Sequence, residues 1–88
     1  MGALLWCAFA PMNKIGIPAH RKRLGDSVRK RRLSLELSQE ELAERIDCHR
    51  NYVGSVERGE QNVTIDMLTR FSKALGCTVG ELAREGRF

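Results

Sequence analysis

The stretch Ser38–Gly59, SQEELAERIDCHRNYVGSVERG, divides into two short helical patterns with a tight turn between them. Ser38 has a hydroxyl that can accept from the orphan backbone N–H groups of a helix start. Glu41, three residues on, can reach back to complete a capping box. Leu37 and Leu42 stand at the two positions of a hydrophobic staple, which sets how the chain enters the helix. After Ile46 the apolar rhythm breaks at Asp47, Cys48 and His49, then resumes with Val53, Val56 and the stem of Tyr52 on one side of a second helix. Gly59 ends that helix, because glycine adopts the left-handed conformation there without a Cβ penalty. Helices this short do not persist alone in water, so both must lean on a shared core.

A helix-turn-helix is the simplest unit that meets this requirement. The rest of the 88-residue chain supplies what it needs: one domain, near the lower size at which a core suffices without disulfides or metal. A first helix is expected from Leu24 or Gly25 to about Leu33, with Leu24 and Val28 inward. After Gly59, residues 60–63 form a loop and Thr64 caps a fourth helix, in which Ile65, Leu68, Phe71, Ala74 and Leu75 recur at helical spacing until Gly76. Thr78 and Glu81 make a second capping box, opening a last helix with Val79, Leu82 and Ala83, and with Cys77 and Leu82 as its staple. Five helices and no credible strand define an all-α domain. The expected organisation is an N-terminal extension with a basic arm over residues 1–23, the domain proper over 24–84 and a tail over 85–88.

Charge is distributed unevenly. Residues 1–32 hold eight Lys/Arg against Asp26 alone, +7, whereas residues 33–88 hold seven against ten acidic residues, −3, within a total of +4. A basic front suggests a polyanion, with nucleic acid leading. The three cysteines are odd in number and form no Cys-x-x-Cys pair, and with His20 and His49 they make no zinc pattern; free thiols in a reducing cytoplasm follow. The apolar start, MGALLWCAFAP, has no positive charge before it and is too short to span a bilayer, which argues against secretion and against a membrane. Met12 is an alternative start, and the apolar run is otherwise a surface for the domain or for a second subunit. Residues 13–23, with Gly16, Pro18 and the cluster His20, Arg21, Lys22 and Arg23, read as an extended arm toward DNA or as a plain tail. No nucleophile with a base, carboxylate pair or metal cluster points to an enzyme, and no cofactor is implied.

Gln39, Leu42, Ala43, Val53, Val56, Glu57 and Gly59 fall where the Cro/repressor type of helix-turn-helix domain, the Xre family, has its characteristic residues, and the resemblance runs from about Leu24 to Leu82. It implies a compact five-helix lambda-repressor-like fold and binding of double-stranded DNA. By the family's motif, His49, Arg50, Asn51 and Ser55 contact bases. The chemistry fits, since Arg50 can fork onto guanine and Asn51 onto adenine. Gln39 is the family's phosphate contact, with Tyr52, Arg58, Asn62 and Thr64 placed to join it and Arg21, Lys22 and Arg23 as an arm; Tyr52 is equally suited to burial against helix 2. An Arg at position 32 pairs in this family with the Glu before the recognition-helix glycine, here Glu57. Glu36 and Asp47 stand where the family commonly has Gly, and a left-handed Glu36 would cost on the order of 1 kcal/mol.

One head covers few base pairs, so a homodimer on two half-sites about 34 Å apart is expected, with Val79 and Leu82 as its interface and the N-terminal apolar run as rival. The run from Arg50 to Gly59, followed by Asn62-Val63-Thr64, is especially similar to restriction–modification controller proteins, small cytoplasmic dimers that bind their own promoters. Glu40 and Glu44 occupy positions that touch RNA polymerase in activating phage repressors, or form a solvated acidic face. The competing reading is an antitoxin-like interaction module that holds a partner through residues 1–23 and also autoregulates its own promoter.

Overall fold

The computed structural model describes residues 16–88, so the expectations placed on the apolar N-terminal run lie outside the described residues. Five helices follow in order: α1 Ala19–Ser34, α2 Gln39–Arg45, α3 Arg50–Glu57, α4 Ile65–Ala74 and α5 Val79–Gly86, with no strand among the described residues. α1 packs against α3 and α5, α2 against α3, and α4 against α5.

The helix starts follow local chemistry. Glu41 N–H donates to Ser38 Oγ at 3.0 Å while Ser38 N–H donates to Glu41 Oε1 at 2.8 Å. Thr78 and Glu81 repeat the arrangement at 3.0 and 2.9 Å. Thr64 Oγ1 accepts from Met67 N–H at 3.1 Å, and His49 Nδ1 accepts from Asn51 N–H at the same distance, so an imidazole caps α3. Each of these bonds satisfies a donor that the first helical turn leaves without a partner.

The core joins Leu24 and Val28 of α1, Leu42, Ala43 and Ile46 of the α2 end, Val53 and Val56 of α3, Leu68, Phe71 and Leu75 around α4, and Leu82 of α5. Phe71 and Leu82 are completely buried. Gly25 lets α1 cross the end of α3 at backbone distance: a Cβ there would stand 2.4 Å from the Glu57 carbonyl oxygen. At the other side of α1, Ser27 Oγ donates to the Leu82 carbonyl at 2.9 Å, and Arg31 Nε donates to Glu85 Oε1 at 2.9 Å.

Three expectations need correction. α1 begins at Ala19, not at Leu24 or Gly25, so Arg21, Lys22 and Arg23 belong to a helix and not to an extended arm. Pro18, at φ −61° and ψ 144°, is set for an N-cap, and its carbonyl accepts from Arg21 N–H at 3.1 Å and Lys22 N–H at 3.2 Å. Basic residues oppose the dipole at a helix start, but here tertiary contact prevails: the Lys22 backbone lies against Gly59. Ile65 is 72% exposed instead of completing the α4 stripe, because the first α4 residues to pack are Met67 and Leu68. Leu82 is 0% exposed, so it closes the domain's own core and has no surface to give a second subunit.

Candidate nucleic-acid interface

Three elements meet at one carboxylate. Glu57, the last residue of α3, accepts from Arg32 Nε at 2.6 Å and Arg32 Nη2 at 3.0 Å, and its Oε1 also takes the Gln39 Nε2 bond at 3.1 Å. Arg32 completes its set by donating from Nη1 to the Leu37 carbonyl at 2.8 Å. Both charged side chains are buried, at 9% and 3% exposure, and a buried charge is tolerated only when paired and hydrogen-bonded in this way. Donation to the Glu57 carboxylate holds the Arg32 guanidinium above its ordinary pKa, although burial pulls the other way. The network fixes the angle of α3 against α1 and against the start of α2. Glu36 at φ 58° and Asp47 at φ 56° make the left-handed turns that lead into α2 and α3, so the backbone there keeps the form for which the family commonly has Gly.

At the free end of α3, His49, Arg50 and Asn51 are exposed together. Neither the Arg50 guanidinium nor the Asn51 amide has a partner among the described residues, so both can bind a ligand without losing an internal bond. His49 spends Nδ1 on the cap, which leaves Nε2 outward. Ser55 does not join them: it is 8% exposed and its hydroxyl donates to the Tyr52 carbonyl at 2.8 Å. A turn-internal hydroxyl bond of this kind is common for serine in a helix and hides the group from the groove.

The remaining site residues divide. Gln39 is half-buried, with its amide N–H on Glu57 and its Oε1 beside Gly54. Tyr52 is half-buried against the core and stacks on Phe71 of α4, ring centroids 6.3 Å apart at 28°. Burial pushes the Tyr52 phenol above its usual pKa, so it remains a neutral O–H donor. Asn62 and Thr64 are exposed on the loop into α4, Thr64 with its Oγ1 committed as a cap. Arg58 is exposed but held by Glu60, Nε to Oε2 at 3.0 Å and Nη2 to Oε1 at 3.1 Å. In the basic first turns of α1, Lys22 Nζ bonds Asp26 at 2.8 Å and Arg23 Nη1 reaches the Arg87 carbonyl at 3.4 Å. Sequence reasoning missed the Gln39–Glu57 bond, Glu60 and the Gly25 crossing. Only Glu60 left a local signal, as a carboxylate two residues after an arginine across a helix-ending glycine.

Cys48 and Cys77 are free thiols, half-buried, and burial pushes both above the usual thiol pKa. No group of His, Cys, Asp and Glu among the described residues could hold a metal ion.

A capped pair of helices at a fixed angle, with an arginine and an asparagine free at the leading end of the second, defines a helix-turn-helix DNA-binding domain. Residues 28–82 match the family described as Helix-turn-helix, and the chain belongs to it as a DNA-binding transcriptional regulator of the Xre type. Control protein C.SmaI from Serratia marcescens is 48% identical over 64 residues, 72% of this chain and 76% of that protein. Control protein C.BamHI from Bacillus amyloliquefaciens is 47% identical over 57 residues, 64% of this chain and 70% of its own length. The crystal structure of the restriction-modification controller protein C.AhdI from Aeromonas hydrophila superposes with a TM-score of 0.72 at 37% identity, over 74% of this chain and 98% of that one.

Proposed function

We propose that this chain is a controller protein of a restriction–modification system, a cytoplasmic homodimer that binds an operator of two half-sites in its own promoter region and acts by binding, not by catalysis. The observation that supports this most is the exposed, unpartnered pair Arg50 and Asn51 at the leading end of an α3 whose angle is locked by the buried Arg32–Glu57–Gln39 network. A helix end placed in the major groove meets a distinct donor and acceptor pattern at each base pair. In this reading Arg50 takes a guanine, Asn51 an adenine, and His49 Nε2 a neighbouring base or phosphate. Gln39, Asn62, Thr64 and the Tyr52 hydroxyl take phosphates on either side, and the basic first turns of α1, packed beside Gly59, add Arg21 and Lys22. Phosphate contacts set the register and base contacts choose the site. Glu40 and Glu44, exposed on α2, give the same dimer an acidic face for RNA polymerase.

The experiment is selection of bound genomic fragments followed by footprinting, with wild type and Arg50→Ala in parallel. The expected result is a protected inverted repeat about two helical turns long, with half-sites roughly 34 Å apart. Arg50→Ala should cost about 1–3 kcal/mol and relax one base position in each half-site. Equal binding of every fragment by both proteins, with one steep salt dependence, would defeat the reading.

A further inference from the structure

α3 closes with a Schellman motif that places two side chains together. Gly59, at φ 80°, donates to the Val56 carbonyl at 2.9 Å, and Glu60 N–H donates to the Ser55 carbonyl at 2.9 Å. In a continuing helix residues 58 and 60 would be about 200° apart around the axis. The left-handed glycine brings them to one side instead, where Glu60 grips Arg58 through Nε at 3.0 Å and Nη2 at 3.1 Å. The third nitrogen, Nη1, lies 3.2 Å from the point a Gly54 Cβ would occupy, and Gln39 Oε1 lies 3.5 Å from the same point. By helical spacing Gly54 falls on the arc between Arg50 and Asn51, one turn on. A donor and an acceptor therefore lie over Gly54, which is buried beneath them, on the side of α3 that carries the unpartnered Arg50 and Asn51.

We propose that Glu60 is a positioning residue that sets specificity: it occupies Nε and Nη2 of Arg58 as an internal stand-in for phosphate and leaves Nη1, which covers Gly54, to a base edge. The inference rests on the operator-binding reading and moves Arg58 from the backbone contact suggested by its sequence position to the groove floor. Guanidinium forks donate to carboxylate and phosphate with the same geometry, so a DNA phosphate can take the Nε–Nη2 fork of Arg58 only by displacing Glu60 and meeting its negative charge. On arbitrary DNA that competition removes one phosphate contact. On the operator the base contact is made with the pair intact. The pair is 61% and 47% exposed, so it adds little to folding and its effect falls on binding.

The test compares wild type, Glu60→Gln, Arg58→Ala and the double variant, all as the full chain. Each is titrated against a duplex recovered by wild type from a random-sequence pool and against a scrambled duplex of equal length. Glu60→Gln should bind the scrambled duplex roughly eightfold more tightly at 0.1 M salt, with a slope of log K against log salt steeper by about 0.9, the increment of one phosphate contact. Preference for the recovered duplex should fall severalfold, and the gain on scrambled DNA should vanish in the double variant. Tm of Glu60→Gln should stay within about 5 °C of wild type, as for an exposed pair. An unchanged scrambled affinity and slope would overturn the proposal. So would a gain that survives removal of Arg58, since that would be a general charge effect. Failure of wild type to recover any common sequence would instead remove the operator reading, and this inference with it.

Discussion

At Gly25 an added Cβ would stand 2.4 Å from the Glu57 carbonyl oxygen and 2.5 Å from that of Val56, and neither backbone atom can move without displacing the end of α3. At Gly54 the neighbours are the far ends of two flexible side chains, Arg58 at 3.2 Å and Gln39 at 3.5 Å. Gly25 and Gly54 thus predict opposite outcomes for the same substitution. Gly25→Ala should destabilise by about 1–3 kcal/mol or more, the usual cost of overpacking, and loosen the Arg32–Glu57 bond that spans the same crossing. Gly54→Ala should leave stability unchanged or raise it by up to about 1 kcal/mol through helix propensity, while weakening operator binding because the methyl pushes aside the Arg58 and Gln39 side-chain ends that cover Gly54. Thermal unfolding alongside binding to a selected duplex separates the two. A stable Gly25→Ala variant would show that the crossing is looser than these distances imply.

Among the elements, α2 is the most dependent on its ends, since it spans Gln39–Arg45 only and its start is held by one capping box. Glu41 is fully exposed, yet its carboxyl sits below the ordinary carboxylate range, first because it accepts the Ser38 backbone N–H and then because of the Ser38 hydroxyl. Glu85 is lowered by its bond from Arg31, which ties α1 to α5. The sign follows directly. A carboxylate whose folded pKa is depressed contributes its stabilisation above its unfolded value, near 4.3 for glutamate, and loses it as pH falls through the folded value. The contribution of these two carboxylates to Tm should therefore be constant down to pH about 5 and decline below about 4. Glu41→Gln should start lower and decline less, because the titrating partner of the cap is gone. A decline equally steep in Glu41→Gln would assign the acid sensitivity to other carboxylates.

For the molecule as a whole, what could be read from sequence was what is local. Ser38–Glu41, Thr78–Glu81 and the stop at Gly59 lie within a turn of one another, so their chemistry is complete in a few residues. Arg32 and Glu57 are far apart along the chain, and their bond was anticipated by family resemblance, not by spacing. Helical spacing says which side a residue faces but not where the packed region ends, so it does not show that Ser55 and Leu82 are enclosed and Ile65 exposed. Leu82 carries the largest consequence. Its side chain is wholly enclosed and its carbonyl receives Ser27 of α1, so α5 is part of the single core that also holds α3. Leu82→Ala should cost about 2–5 kcal/mol, a large share of the total stability of so small a domain. At about 4–8 °C per kcal/mol, Tm should fall by at least roughly 10 °C, and binding should be lost on warming although Leu82 is remote from the groove. At low temperature the folded variant should keep the wild-type base preference and the wild-type sedimentation coefficient. The opposite pattern, an unchanged Tm with a shift to monomer in sedimentation, would return Leu82 to the subunit interface and require α5 to open in the free domain.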